Sequence, residues 1–562
     1  MRIKIGRRIL WLALMSLLGL AALGGRIYHL QVAEGERYAR MAFQQRALSL
    51  PLAGRRGQIV DRNGIPLTDP QVSWGVAVFP PLVEDARGVA RALAPVLGLP
   101  EAELQRQVEA ASSPQWLATG LSEATAAAVE AMGLAGIGVG PVGQRYGPGA
   151  LARHLVGYVN SQGGQLGLER ALDAELTGDA VPSLVTYLDG TGKPLDGLGI
   201  RTAVPTWGKP PYTVRTTIDS RLQQAVERVL DQQRTDDGSP WRGSVVVMDP
   251  YTGEVLAMAS RPQFSYHELE RLLAGGEGSF LLNRAVVNYP PGSVFKTIVA
   301  AAALERGLVS PRERFYCAGH YEVDGHRYEE AAGAHGWITL EEAVAQSCNV
   351  TFLQMGYERL GLEALREAAL RFGFGQPTGA LGTDRPWPDE QVGRVPEAGE
   401  SGAVQMAFGQ GALEATPLQV ARAYAAVANG GVLPPVRLVT AWETPTGEVV
   451  GRPRAGAPVR VMRPETAAAL RKALEKVTDP DGPGTGTGAW IPGAGSAGKT
   501  GTAEAVDASG REISHAWFAG YLPVHRPRFV VVVLVEGGGR GGRTAAPIFR
   551  QVGEALLATP GY

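Results

Sequence analysis

Ser293 and Lys296 stand three residues apart, a potential nucleophile beside a potential base. A serine hydroxyl attacks a carbonyl only when a neighbouring base takes its proton. Ser293 follows Tyr289-Pro290-Pro291-Gly292, and this run predicts a sharp entry turn. The apolar, alanine-rich stretch 294–305 then predicts a buried helix with Ser293 at its N-terminus. Spacing i, i+3 puts Lys296 one turn along on the same face. The helix N-terminus aims backbone N–H groups at developing negative charge. Lys296 can act as a base only when neutral, against an ordinary lysine pKa of roughly 10.4. Burial lowers that value, and so does a second cation, for which Lys499 is the natural candidate.

Two more short motifs follow in order, Ser347-Cys348-Asn349 and Lys499-Thr500-Gly501-Thr502. Residues 497–504 are small and read as an extended strand, where Gly501 would let a substrate backbone approach closely. Residues 514–521 and 528–535 are rich in β-branched and aromatic side chains and predict the next antiparallel strands. An isolated S-x-x-K is most often a helix surface pair. S-x-x-K, S-x-N and K-T-G together, in this order, form the set shared by penicillin-binding proteins and serine β-lactamases.

On these motifs the chain resembles a class B penicillin-binding protein, a D,D-transpeptidase of bacterial wall synthesis. The resemblance extends to Arg56-Gly57-Gln58-Ile59-Val60-Asp61-Arg62-Asn63-Gly64, to Gly167-Leu168-Glu169 with Leu176-Thr177-Gly178, and to 247–258. Gly409-Gln410-Gly411, Thr416-Pro417-Leu418-Gln419 and Ala428-Asn429-Gly430-Gly431 match as well. It implies an α/β transpeptidase domain with a sheet flanked by helices, on an elongated, mostly β pedestal. It implies Ser293 as the acylated nucleophile and Lys296 as its base. Ser347 and Asn349 would relay protons and hold the substrate amide. Lys499, Thr500, Gly501 and Thr502 would form the wall that holds the substrate carboxylate, and the N–H groups of Ser293 and Thr502 the oxyanion hole. Gly333-Ala334-His335-Gly336, Ser347-Cys348-Asn349 and His515-Ala516-Trp517-Phe518 make the chain look like the elongation type. With no glycosyltransferase module in the chain, the resemblance implies a membrane polymerase partner, a SEDS glycosyltransferase of the RodA type. Stem peptides would be the substrates and β-lactams the inhibitors.

The 562 residues are too many for one core, so two or three modules are expected. A net charge of −1 argues against nucleic acid as the main partner. Arg2, Lys4, Arg7 and Arg8 precede an apolar stretch over 9–25, which Arg26 can extend by snorkelling to about residue 30. The expected organisation is a cytoplasmic tail over 1–8 and a transmembrane anchor over 9–30. A pedestal over 31–215 and a transpeptidase domain over 216–562 would follow, outside the cytoplasmic membrane. A cleaved signal peptide is the competing reading of the first segment. Residues 121–132 predict a helix within the pedestal, and the Gly- and Thr-rich run 479–488 a mobile loop.

The only cysteines are Cys317 and Cys348. They could be inert, form one disulfide, or bind metal. Elongation-type relatives can carry a zinc site that includes the residue inside S-x-N. On that pattern Cys348 and His335 are ligands, Glu329 or Glu330 the third and Cys317 the fourth; Glu329 is the carboxylate chosen. Such a metal would be structural, and the chemistry itself needs no cofactor. Competing functions are a division-type transpeptidase, a D,D-carboxypeptidase or β-lactamase, and an allosteric activator of the polymerase.

Overall fold

A computed structural model of the chain describes residues 2–52, 56–160, 162–178, 180–195, 197–205, 208–235, 238–276, 278–323, 325–506 and 510–561. It begins with helix α1 (Arg2–Tyr28). The segment Arg8–Ala33 has a mean hydropathy of 1.7, leaves its apolar window wholly exposed, and is long enough to cross a membrane.

Strand Gln71–Val78 lies between Gln115–Leu121 and Ile137–Gln144, antiparallel to both. Helices Ala86–Leu97, Glu101–Ala110 and Glu123–Ala131 bury Leu93, Leu104 and Val129 with Val76 and Val78 of that sheet. Ser122 caps the third helix by accepting the Thr125 N–H at 3.1 Å, so the helix predicted over 121–132 starts at Glu123. A second sheet sets Ser183–Tyr187 between Ala47–Pro51 and Arg201–Ala203. The pedestal therefore holds helices beside its expected strands.

The root of the pedestal is stitched to the next module. Strand Thr213–Thr216 pairs in parallel with Ile59–Val60 and antiparallel with Val439–Glu443. The boundary expected between 215 and 216 thus falls inside a shared strand. Asp61 is buried and accepts the N–H groups of Asn63 and Ile65 at 2.7 and 2.8 Å and the Ser220 hydroxyl at 2.8 Å. Arg56 pairs with Glu169 and Asp173 at 2.5 Å each. These contacts are the local reason for the R-G-x-I-x-D-R-N-G and G-L-E patterns.

Among the described residues, the second module is built on a five-stranded sheet. Its strands are β1 (Gly243–Met248), β2 (Val255–Arg261), β3 (Ala497–Val506), β4 (Glu512–Leu522) and β5 (Phe529–Val535), in the order β2-β1-β5-β4-β3. Neighbours are antiparallel throughout. β1 and β5 are buried along their whole length because helices cover both faces. Alternation sends Val245 and Val247 to one core with helices α2 (Ser220–Asp231) and α8 (Ala545–Leu557). Val246 and Met248 go to the other core, with α3 (Lys296–Glu305), α6 (Pro417–Ala428) and α7 (Pro464–Thr478). Short helices α4 (Leu340–Ala345) and α5 (Asn349–Leu353) stand beside this second core. Among the described residues β3 ends the sheet, so one backbone edge of the K-T-G-T strand carries no described neighbouring strand.

Candidate active site

Ser293 lies in a tight 3-10 turn, Gly292–Phe295, that runs into α3. The predicted helix is present, but its α-helical part begins at Lys296 rather than beside Ser293. Ser293 is half-buried, while Val294, Phe295 and Lys296 are buried. Gly292 has φ 57°, and a Cβ there would come within 2.8 Å of the Thr502 carbonyl oxygen. Glycine lets the nucleophile's turn rest against β3. From beneath, the Tyr424 hydroxyl of α6 donates to the Val294 carbonyl at 2.9 Å and lies 2.9 Å from Thr297 Oγ1.

Lys296 Nζ donates to the Ser347 carbonyl and to Asn349 Oδ1, both at 2.6 Å, and sits 3.3 Å from Ser347 Oγ. Ser347 is the corner between α4 and α5 and has φ 60°, a backbone region that non-glycine residues avoid. That corner presents both its carbonyl and its hydroxyl to Lys296. Burial holds the Lys296 pKa down to about 8, against the opposing charge of Glu330. Lys499 does not cause this lowering, as the sequence had suggested. The repulsion falls on Lys499 itself, which burial and the Lys296 charge hold well below the ordinary lysine range.

Lys499 and Gly501 face the same side as their partners Ala519 and Trp517, whereas Thr500 and Thr502 project to the other side. Lys499 is fully buried, and its Nζ donates to the Thr500 carbonyl at 3.2 Å. A Cβ on Gly501 would meet Trp517 Cβ at 2.9 Å, the Pro291 carbonyl oxygen at 3.0 Å and Val294 Cγ1 at 3.1 Å. Within the protein, the glycine is needed by β4 at Trp517 and by the nucleophile's own turn.

The structure brings S-x-x-K, S-x-N and K-T-G-T together and gives contacts to residues that the sequence reading left without a role. Gln410 Nε2 donates to the Thr502 carbonyl at 3.2 Å, and the Gly292 N–H to the Gly409 carbonyl at 2.8 Å. The Gly409-Gln410-Gly411 match thus ties the nucleophile's turn to β3. The run expected to be a mobile loop is pinned at both walls. Thr485 N–H donates to the Ala345 carbonyl at 3.0 Å, and Thr485 Oγ1 lies 2.7 Å from Thr500 Oγ1. Nothing local in the sequence gives Gln410 or Thr485 its contact, because the partners lie far along the chain.

The two cysteines are buried and neither is in a disulfide. Ligand atoms of Cys317, Glu330, His335 and Cys348 lie within 4.8 Å of one another. Glu330, not Glu329, holds the carboxylate position. Glu329 is exposed and pairs with Arg327 at 2.6 Å, while Glu330 is buried and accepts the Asn349 N–H at 2.5 Å. His335 Nδ1 is buried without a hydrogen-bond partner, and burial pushes the Cys348 thiol up to about 12. An orphaned imidazole nitrogen, two thiols and a carboxylate fit a borderline-soft divalent cation such as zinc.

Residues 51–197 match the penicillin-binding protein dimerisation domain, and residues 243–554 the penicillin binding protein transpeptidase domain. The chain belongs to the class B penicillin-binding proteins. It is 33% identical to stage V sporulation protein D of Bacillus subtilis, over 97% of this chain and 84% of the relative. It is 30% identical to the peptidoglycan D,D-transpeptidase FtsI of Escherichia coli K12, over 97% of this chain and 90% of the relative. One similar solved structure is described as structural coordination of polymerization and crosslinking by a peptidoglycan synthase complex. That likeness has a TM-score of 0.72 and 30% identity and covers 99% of each chain. As a class B penicillin-binding protein the chain is a serine-type D,D-transpeptidase of peptidoglycan and a β-lactam target, with no cofactor needed for the chemistry.

Proposed function

We propose that this penicillin-binding protein cross-links stem peptides through an acyl-enzyme on Ser293 during cell elongation, beside a RodA-type SEDS glycosyltransferase. The observation that carries the chemistry is Lys296 Nζ, buried and held between Ser347 and Asn349. Neutral Lys296 takes the Ser293 proton as Oγ attacks the penultimate D-alanine carbonyl. The N–H groups of Ser293 and Thr502 receive the oxyanion. Ser347, 3.3 Å from Lys296 Nζ, passes the proton to the leaving D-alanine nitrogen. A second stem's amine then attacks the ester, and Ser293 Oγ regains a proton as the new amide forms. Intact-mass analysis after benzylpenicillin should show one covalent adduct, mapped to Ser293 and missing in Ser293→Ala. An adduct that persists in that variant places the nucleophile elsewhere.

One observation supports the elongation reading, and two more support the membrane setting and the polymerase partner. The Cys317, Glu330, His335 and Cys348 cluster adjoins S-x-N, as in elongation-type relatives. The apolar segment Arg8–Ala33 supplies a single anchor, with residues 1–8 in the cytoplasm and the transpeptidase outside the cytoplasmic membrane. The likeness to a complex described as joining polymerization and crosslinking runs the length of the chain. Depletion in a rod-shaped host should round the cells; filaments would assign the protein to division instead. The cluster is read as a structural zinc site whose ligands are Cys317, Glu330, His335 and Cys348. Bound there, zinc would tie the segment 317–335 to the start of α5, fixing Cys348 between Ser347 and Asn349, and would supply no step of the chemistry.

A further inference from the structure

The threonines of the K-T-G-T strand each have a backing group that none of the motifs contains. Thr502 Oγ1 accepts the Gly541 N–H at 3.3 Å, so its own hydrogen is free to donate. Gly541 reaches this close because it has no side chain: a Cβ would come 2.3 Å from the Gly501 carbonyl oxygen and 2.4 Å from that of Trp517. Thr500 Oγ1 lies 2.7 Å from Thr485 Oγ1. Thr485 is anchored in turn on the Ala345 carbonyl, by its N–H at 3.0 Å and its hydroxyl at 3.3 Å. Ala345 ends α4, two residues before Ser347. The chain Ala345, Thr485, Thr500 therefore crosses from the S-x-N wall to the K-T-G-T wall.

Each hydroxyl has one hydrogen to give. Two proton orders satisfy this chain. In one, Thr500 donates to Thr485 and Thr485 donates to the Ala345 carbonyl. In the other, Thr485 donates to Thr500, and the Thr500 hydrogen points outward. An anion beside Thr500 selects the second order, because a carboxylate only accepts. The Ala345 carbonyl keeps the Thr485 N–H as its partner in both orders, so nothing is left unpaired by the reversal.

We infer that Thr485 is a positioning residue for recognition of the anionic C-terminus of the stem peptide, acting by donating to Thr500 so that Thr500 donates to the carboxylate. The Gly541 N–H plays the same part for Thr502. The inference rests on Thr500 and Thr502 being the carboxylate-binding pair, and the test separates the two.

The test measures second-order acylation of the full chain in detergent by benzylpenicillin and by its carboxylate methyl ester. Thr485→Val should slow acylation by benzylpenicillin about three- to tenfold, the size of one hydrogen bond, and leave the ester rate within about twofold. Thr485→Ser, which keeps the hydroxyl, should restore the benzylpenicillin rate. Thr500→Val should show the same selective loss, and Thr485→Val in that background should add little, since the relay is already broken. If Thr485→Val does not fold to the wild-type melting temperature, Thr485→Ala carries the same expectation. Equal losses on acid and ester, or no rescue by serine, would make Thr485 a structural strap and overturn the relay. If Thr500→Val shows no acid-selective loss, the carboxylate assignment fails and the relay falls with it. If Thr500→Val is selective and Thr485→Val is not, only the relay fails.

Discussion

At the scale of single residues, the cleft contrasts two buried lysines. Lys296 titrates near 8 because burial outweighs the attraction of Glu330. A base must be neutral, so penicillin acylation should rise with pH through about 8 as Lys296 loses its proton. Lys296→Gln should lower the acylation rate by about two to four orders of magnitude and abolish that limb. A limb that survives the substitution would assign the titration to another group. Burial and the Lys296 charge hold Lys499 well below the ordinary lysine range, against the attraction of Glu330, and a substrate carboxylate would add a further counter-charge. Lys499→Ala should therefore cost roughly tenfold to a hundredfold in acylation by carboxylate-bearing penicillins, and full activity would place it outside recognition. The three motifs were legible in the sequence because each is local: spacing alone puts Lys296 a turn beyond Ser293, and Asn349 beside Ser347. The long-range partners were not. Glu329 and Glu330 are adjacent, and only the fold shows that Glu330, just past strand His326–Glu329, turns inward to the Asn349 N–H while Glu329 faces solvent. Thr485 likewise has no meaning until Ala345 and Thr500 flank it.

At the scale of elements, the nucleophile's turn is held by its neighbours more than by its own sequence. β3 touches it at Gly501, the 409–411 turn binds it through Gly292, and α6 reaches it with Tyr424. Tyr424→Phe strips the Val294 carbonyl of its donor in a fully buried place. It should destabilise the transpeptidase module by about 1–3 kcal/mol, read as a lower denaturant midpoint. A midpoint equal to that of the wild type would show that another group satisfies this carbonyl. If the Cys317, Glu330, His335 and Cys348 cluster holds the proposed zinc, the segment 317–348 that leads into S-x-N should depend on it. Purified under gentle conditions, the protein should carry one zinc per chain, and both thiols should resist alkylation until a chelator is added. Metal-free protein with the same thiol protection would refute the site. The β-branched and aromatic content of 514–521 and 528–535 made those strands readable, since a strand covered on both faces reads as a continuous apolar run. The expectation of a mobile loop over 479–488 did not foresee that Thr485 within it is tied to Ala345 and Thr500.

At the scale of the molecule, the question is where the pedestal can bend. Its root cannot pivot freely at the junction. Strand Thr213–Thr216 is shared between the modules, Arg215 holds Glu443 at 2.6 and 2.9 Å, and Arg62 holds Glu254 at 3.0 Å. Arg385 of the catalytic module closes a two-pronged pair on Glu175 of the root at 3.0 and 2.6 Å, and Asp389 accepts the Gly167 N–H at 2.6 Å. The expectation from these staples is that a tilt imposed on the root by a membrane partner reaches the transpeptidase as a rigid turn, whereas a passive spacer would need none of them. Arg385→Glu sets two like charges against each other at the junction without touching the cleft. Penicillin acylation should stay within about twofold of the wild type, while stimulation of the partner polymerase falls about fivefold or more. Pairing it with Glu175→Arg should restore the stimulation, because the attraction returns with its ends exchanged. The decisive comparison is the polymerase rate of the single and the double variant in the reconstituted complex. If Arg385→Glu loosens the junction, seen as faster amide exchange around 167–176, and the polymerase rate does not change, orientation is not transmitted and the pedestal only sets distance.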